Sequence, residues 1–301
     1  MKEKNLEQIR RDRDRSSRIR LVATDMDGTF LNEKSRISRR NIRAVKRLME
    51  EGIEFVVCTG RRIEDVTPFL DEMQVRCGVI SMNGAALYDK EGIARKKVVL
   101  SKEQVNSIIK SLDNWNERLV IQLVSEKNLC VLAREEILEK FVIHYIMPGP
   151  DRQKERDELM KSYVRMTGKE LLESTVPFYK IEIMSEDTEL IQEIRGVIDQ
   201  VDGICIGASF ATNWEITHKD ASKGAGLKAY GETKGYELSQ IMALGDGGND
   251  ETMLSLPLGW SVAMENGTDK IKEAAQVITG SNEKDGFAQA VEALLESRRL
   301  G

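Results

Sequence analysis

The apolar run Ile19-Arg20-Leu21-Val22-Ala23 leads into Asp25-Met26-Asp27-Gly28-Thr29, and no other stretch limits the possible folds of the chain so sharply. The run reads as a buried strand. A strand aims alternate side chains the same way, so aspartates at i and i+2 at its end leave together into one crevice, and Gly28 allows the backbone to turn there. At about 4 Å two carboxylates repel by roughly 4 kcal/mol at an effective dielectric near 20. A bound cation or a shared proton has to offset that repulsion.

The strand opens an alternating pattern. A helix starts at Ser38, with Ile42, Val45, Leu48 and Met49 on one face and Gly52 at its end. The apolar run Ile53 to Val57 then ends in Cys58-Thr59-Gly60-Arg61, a helix runs to about Met73, and Gly78-Val79-Ile80-Ser81 forms another strand. This βαβα order predicts an α/β protein with a doubly wound parallel-sheet core. The rhythm resumes late in the chain, with strands at 240–244 and 259–263 and helices at 221–234, 249–256, 267–275 and 285–297. Residues 84–218 break the pattern. A helix near 101–116 is followed by strands near 118–124 and 128–132 and helical stretches to about 172. A strand at 178–184, a helix at 187–200 and strands near 203–208 and 212–217 complete the region. A βαβ unit needs only about thirty residues, so a large α/β domain is inserted into a core made of 19–83 and 219–301. Residues 1–18, rich in arginine but mixed with acidic residues, read as a charged, solvated and partly helical extension.

A second acidic cluster, Gly245-Asp246-Gly247-Gly248-Asn249-Asp250, also follows an apolar strand and opens a helix. Ligands of open parallel sheets bind past the carboxyl ends of strands, so both clusters reach the same edge. Thr59 and Gly60 end a third strand there, and Lys223 opens a helix. A hydroxyl, backbone N–H groups, an ammonium and a cation held by carboxylates together make a phosphate site. Each piece alone has an ordinary reading: aspartates as turn formers, Thr59-Gly60 as a loop, Lys223 as a surface lysine. Their joint order is what points to function.

Composition narrows the chemistry. The chain has 301 residues, 41% hydrophobic and 32% charged, with a net charge of −5. That balance is ordinary for two soluble domains and offers nothing to nucleic acid. No apolar run is long enough for a bilayer. The four cysteines form neither a zinc pattern nor a disulfide framework, which fits a reducing cytoplasm. With only His144 and His218 available, the metal expected is hard and oxygen-bound, such as Mg²⁺.

Taken together, the chain resembles the haloacid dehalogenase superfamily, and within it the Cof-like hydrolases. Asp25 to Thr29, Cys58 to Arg61, Lys223-Gly224 and Gly245 to Asp250 resemble the four motifs of that family in order. Ser81-Met82-Asn83-Gly84-Ala85, Ile216 through Leu227 and Ala263 to Gly267 resemble further stretches of the branch. Phe30 and Gly267 depart from the usual leucine and alanine. The resemblance implies an Mg²⁺-dependent phosphohydrolase working through an aspartyl-phosphate on a small phosphorylated metabolite. It makes Asp25 the nucleophile and Asp27 the acid and base. The metal would be held by Asp25, Asp246, the backbone carbonyl of Asp27 and, more distantly, Asp250. Phosphate would be held by Thr59, Gly60 and Lys223, with Gly28 and Asn249 beside them. The insert becomes a cap, and one chain suffices without a second copy. A phosphomutase shares these residues. A phospho-accepting signalling module lacks the second aspartate of the pair and the insertion.

Overall fold

The computed structural model describes residues 4–147, 149–208 and 210–299. Residues 1–3, 300 and 301, at the ends of the expected segments, lie outside the described residues. The chain divides into two compact units, one from the residues up to Lys97 together with those from Ala221 on, the other Val98–Asp220.

Among the described residues of the first unit, eight strands form one sheet. Their order is Val277–Ile278, Trp260–Ala263, Ile241–Gly245, Leu21–Thr24, Glu54–Cys58, Gly78–Ser81, Ala86–Tyr88 and Ala94–Lys97. The first six run parallel; Ala86–Tyr88 pairs antiparallel with Gly78–Ser81, and Ala94–Lys97 pairs antiparallel with Ala86–Tyr88. The Leu21–Thr24 and Ile241–Gly245 strands are buried at every residue, as a parallel sheet covered on both faces requires. Leu21, Ala23, Val56, Ile241 and Ala243 face Leu227, Tyr230, Met253 and Ile271. On the opposite face Phe30, Phe55 and Phe287 pack with ring centroids 4.8–5.9 Å apart. The Arg39–Glu50 helix starts where Ser38 Oγ accepts from Asn41 N, and it buries Ala44, Val45 and Leu48.

The boundary expected at residue 84 is wrong. Ala86–Tyr88 and Ala94–Lys97 extend the first sheet, so the insert begins after Lys97. The first of these strands has only three residues, and the second, Ala-Arg-Lys-Lys, is mostly exposed. Neither carries a readable apolar alternation.

The expectation of a solvated leading segment also fails. Glu7–Arg11 and Arg13–Ser17 are short helices with Ile9 and Ser16 fully buried. Trp260 Nε1 donates to Ser16 Oγ, and the Arg15 guanidinium lies 4.1 Å from the centre of that indole. Arg298 donates to the carbonyls of Ser16, Ser17 and Ile19.

In the second unit, six strands among the described residues form a sheet in the order Ile204–Gly207, Asn213–His218, Phe178–Met184, Val120–Ser125, Leu129–Leu132 and Tyr163–Arg165. The Lys102–Ser111 and Thr188–Ile198 helices supply Val105, Ile108, Ile191 and Ile194 to a core shared with Ile121, Leu123, Ile181 and Ile183. The Tyr163–Arg165 strand interrupts a stretch expected to be helical. It pairs parallel with Leu129–Leu132.

Candidate active site

Strand order fixes where a site can form. From Leu21–Thr24 the chain builds outward on one side to Glu54–Cys58 and Gly78–Ser81, and on the other side it places Ile241–Gly245 and its successors. The order therefore reverses between Leu21–Thr24 and Ile241–Gly245, which opens a crevice beyond their carboxyl ends. Asp25 and Asp27 follow the first of these strands, Asp246 and Asp250 the second.

Asp25 is anchored by its backbone, its N–H donating to the carbonyl of Leu244 at 3.0 Å. Its Oδ1 accepts from Lys223 Nζ at 2.6 Å, and the same ammonium donates to Asp250 Oδ1 at 2.7 Å. Lys223 is only 1% exposed. It reaches the crevice from the start of the Lys223–Lys234 helix, which Ser222 caps. Asp250 Oδ2 accepts from the N–H groups of Asp246 and Gly247, both at 2.9 Å, and so shapes its own loop. Thr29 Oγ1 donates to Asp246 Oδ1 at 2.6 Å. Gly28 is required here by geometry: its φ is +81°, and a Cβ would lie 2.2 Å from Asp246 Oδ2.

One carboxylate oxygen from each of Asp25, Asp246 and Asp250 lies within 4.8 Å of the others. Three acids around one ammonium leave unbalanced negative charge, and the protonation of the site reflects it. Burial pushes the Asp25 carboxyl well above the ordinary range. Lys223 opposes this, while Asp250, Asp246 and Asp27 add to it. Asp246 is raised to about 6, first by burial and then by Asp250, with Thr29 pulling it down. Burial works against the Lys223 ammonium, but Asp25 and Asp250 outweigh it and hold its pKa well above the usual lysine value. An all-oxygen donor set that resists ionisation without a counter-charge suits a hard divalent cation.

Asp27 does not join this group through its side chain. Its two oxygens accept from Arg61 Nε and Nη2 at 2.8 and 2.6 Å, and its side chain is 45% exposed. Thr59 is buried at the end of Glu54–Cys58; its N–H donates to the Ile80 carbonyl and its Oγ1 accepts from Arg61 N at 3.2 Å. Gly60 follows it in the turn. Asn249 Nδ2 donates to Asn83 Oδ1 at 3.4 Å. The orienting bond from Thr29, the Arg61–Asp27 pair and the contact of Asn83 escape the sequence reading. The Asn-Gly pair at 83–84 is a signal for a left-handed turn, but nothing local links it to Asn249.

Known proteins resemble this chain over most of its length. Residues 22–291 match the model of a family described as haloacid dehalogenase-like hydrolase. "Phosphatase YwpJ" of Bacillus subtilis is 29% identical over 288 residues, covering 92% of this chain and 100% of that protein. A second B. subtilis protein, "5-amino-6-(5-phospho-D-ribitylamino)uracil phosphatase YwtE", is 26% identical, with 93% and 99% covered. A solved haloacid dehalogenase-like hydrolase from B. subtilis superposes with a TM-score of 0.78 at 27% identity, covering 91% of this chain and 99% of its own.

Proposed function

Because the chain belongs to the haloacid dehalogenase-like hydrolases, in their Cof-like branch, we propose that it is an Mg²⁺-dependent phosphatase. Its substrate would be a small phosphorylated metabolite, the class named for YwtE among its relatives. One observation carries the reading: carboxylate oxygens of Asp25, Asp246 and Asp250 converge to within 4.8 Å at the reversal of strand order, with buried Lys223 bridging Asp25 and Asp250. That is an expensive arrangement for a fold and a useful one for a phosphoryl group and its cation.

Asp25 attacks phosphorus through a carboxylate oxygen while the bond from phosphorus to the leaving oxygen breaks. Lys223 holds Oδ1 and fixes the direction of attack. Asp27 delivers its proton to the leaving oxygen, so the product departs as an alcohol. Water then attacks the aspartyl-phosphate and gives its proton to Asp27. The bond from Asp25 to phosphorus breaks, inorganic phosphate leaves and both aspartates are restored. Thr59, Gly60 and Lys223 receive the phosphoryl oxygens, with Gly28 and Asn249 lining the same turn region. Asp25, Asp246 and the Asp27 carbonyl would hold the cation, with Asp250 supporting it from farther off, and the cation when bound neutralises charge on the phosphoryl group. The Arg61 fork fits phosphate as well as carboxylate. An arriving phosphate therefore competes for Arg61, and Asp27, once released, takes from water the proton it then delivers to the leaving oxygen.

The test is a phosphate-release screen over phosphorylated metabolites with and without Mg²⁺, run on the wild type and Asp25→Ala. Release that needs Mg²⁺ and falls at least about 10³-fold in the variant is expected. Turnover in Asp25→Ala close to the wild type would overturn the assignment of the nucleophile.

A further inference from the structure

The Ser81–Gly84 turn ties together segments that are far apart in sequence. Met82, Asn83 and Gly84 have φ of 49°, 54° and 91°, three left-handed residues in succession. Met82 has neither the freedom of glycine nor the local hydrogen bonding of asparagine, and it is buried. A backbone of this kind costs free energy and persists only where its surroundings enforce it.

Those surroundings are the other motif segments. Asn83 N donates to the Thr59 carbonyl at 2.9 Å, and Met82 N to the Arg61 carbonyl at 3.0 Å. Ser81 Oγ donates to the same Arg61 carbonyl at 2.8 Å. A Cβ on Gly84 would lie 2.1 Å from the Ser222 carbonyl, so the turn presses on the residue that caps the Lys223 helix. The side chain of Asn83 completes the set by accepting from Asn249 Nδ2.

We propose that Asn83 is a positioning residue: its side-chain amide registers Asn249 and its left-handed main chain holds Thr59, so two phosphate-binding segments keep one spacing. The inference rests on the phosphatase reading of the site. A turn that served folding alone needs the backbone of residue 83 but not its amide.

A double-mutant cycle on Asn83→Gly and Asn249→Ala separates the two roles. Glycine keeps the left-handed backbone and removes only the amide. The readouts are orthophosphate affinity by calorimetry in Mg²⁺ buffer and KM and kcat for p-nitrophenyl phosphate. Each single variant is expected to weaken orthophosphate binding and raise KM about tenfold with a smaller change in kcat. The double variant is expected to be no weaker than the weaker single one. Losses that multiply in the double variant, or unchanged orthophosphate affinity in Asn83→Gly, overturn the proposal. If Asn83→Gly does not fold, Asn83→Ala enters the same cycle, because alanine likewise offers Asn249 Nδ2 no acceptor. A wild type that binds orthophosphate but hydrolyses no ester overturns the phosphatase reading instead, and the binding arm still decides the role of Asn83.

Discussion

Asp246 shows how one side chain links the acidity of the site to metal uptake. Its carboxyl is raised to about 6 by burial and by Asp250, against an ordinary value near 4. Between these values the folded protein holds a proton that the unfolded chain has lost, so metal-free stability falls as pH rises through that window. A cation must displace the same proton. Mg²⁺ affinity measured by calorimetry is therefore expected to climb from pH 5 to pH 7 and then level off, with proton release at the acid end. An affinity flat across this range would contradict the raised carboxyl. Thr29, whose hydroxyl donates to Asp246 Oδ1, had no role in the sequence reading. Its motif was legible, but a bond between residues 29 and 246 depends on the sheet order.

The elements read well where apolar runs are short and fully buried. Leu21–Thr24 and Ile241–Gly245 are of this kind, as is Glu54–Cys58 beyond its half-buried first residue, and Ser38 before Arg39–Glu50 gave a cap signal that the hydrogen bond to Asn41 N realises. An element whose own apolar pattern is weak does not show its partner in the sequence. Ala94–Lys97 is a strand because Ala86–Tyr88 offers its edge, and the Glu7–Arg11 helix buries one apolar residue, Ile9, in a charged sequence. That helix packs on the Gly286–Arg299 helix, where Arg10 pairs with Glu296 at 2.9 Å. Ile9→Ala is expected to cost about 2–4 kcal/mol in urea unfolding, whereas a solvated segment would lose nothing measurable.

The excess of carboxylates over ammonium groups at the strand reversal sets a tension within the first unit that a bound cation would relieve. Since an ion binding only the native state stabilises by mass action, saturating Mg²⁺ at about 100 times its dissociation constant is expected to add roughly 2.7 kcal/mol. The unfolding temperature in calorimetry should rise with Mg²⁺ concentration, and Asp246→Asn should abolish most of the rise. An Mg²⁺-independent unfolding temperature in the wild type would refute cation binding at this cluster. The second unit has its own core of Ile121, Leu123, Ile181 and Ile183.

The central strand Leu21–Thr24 lies between Glu54–Cys58 and Ile241–Gly245, one neighbour made soon after it and the other more than two hundred residues later. During translation the early side can zip up while the later side stays open, its apolar edge bare until residues 241–245 leave the ribosome. The candidate pocket is thus among the last things the nascent protein acquires, and a chain cut short before residue 241 keeps the Arg61–Asp27 pair but lacks the second acidic loop that meets Asp25.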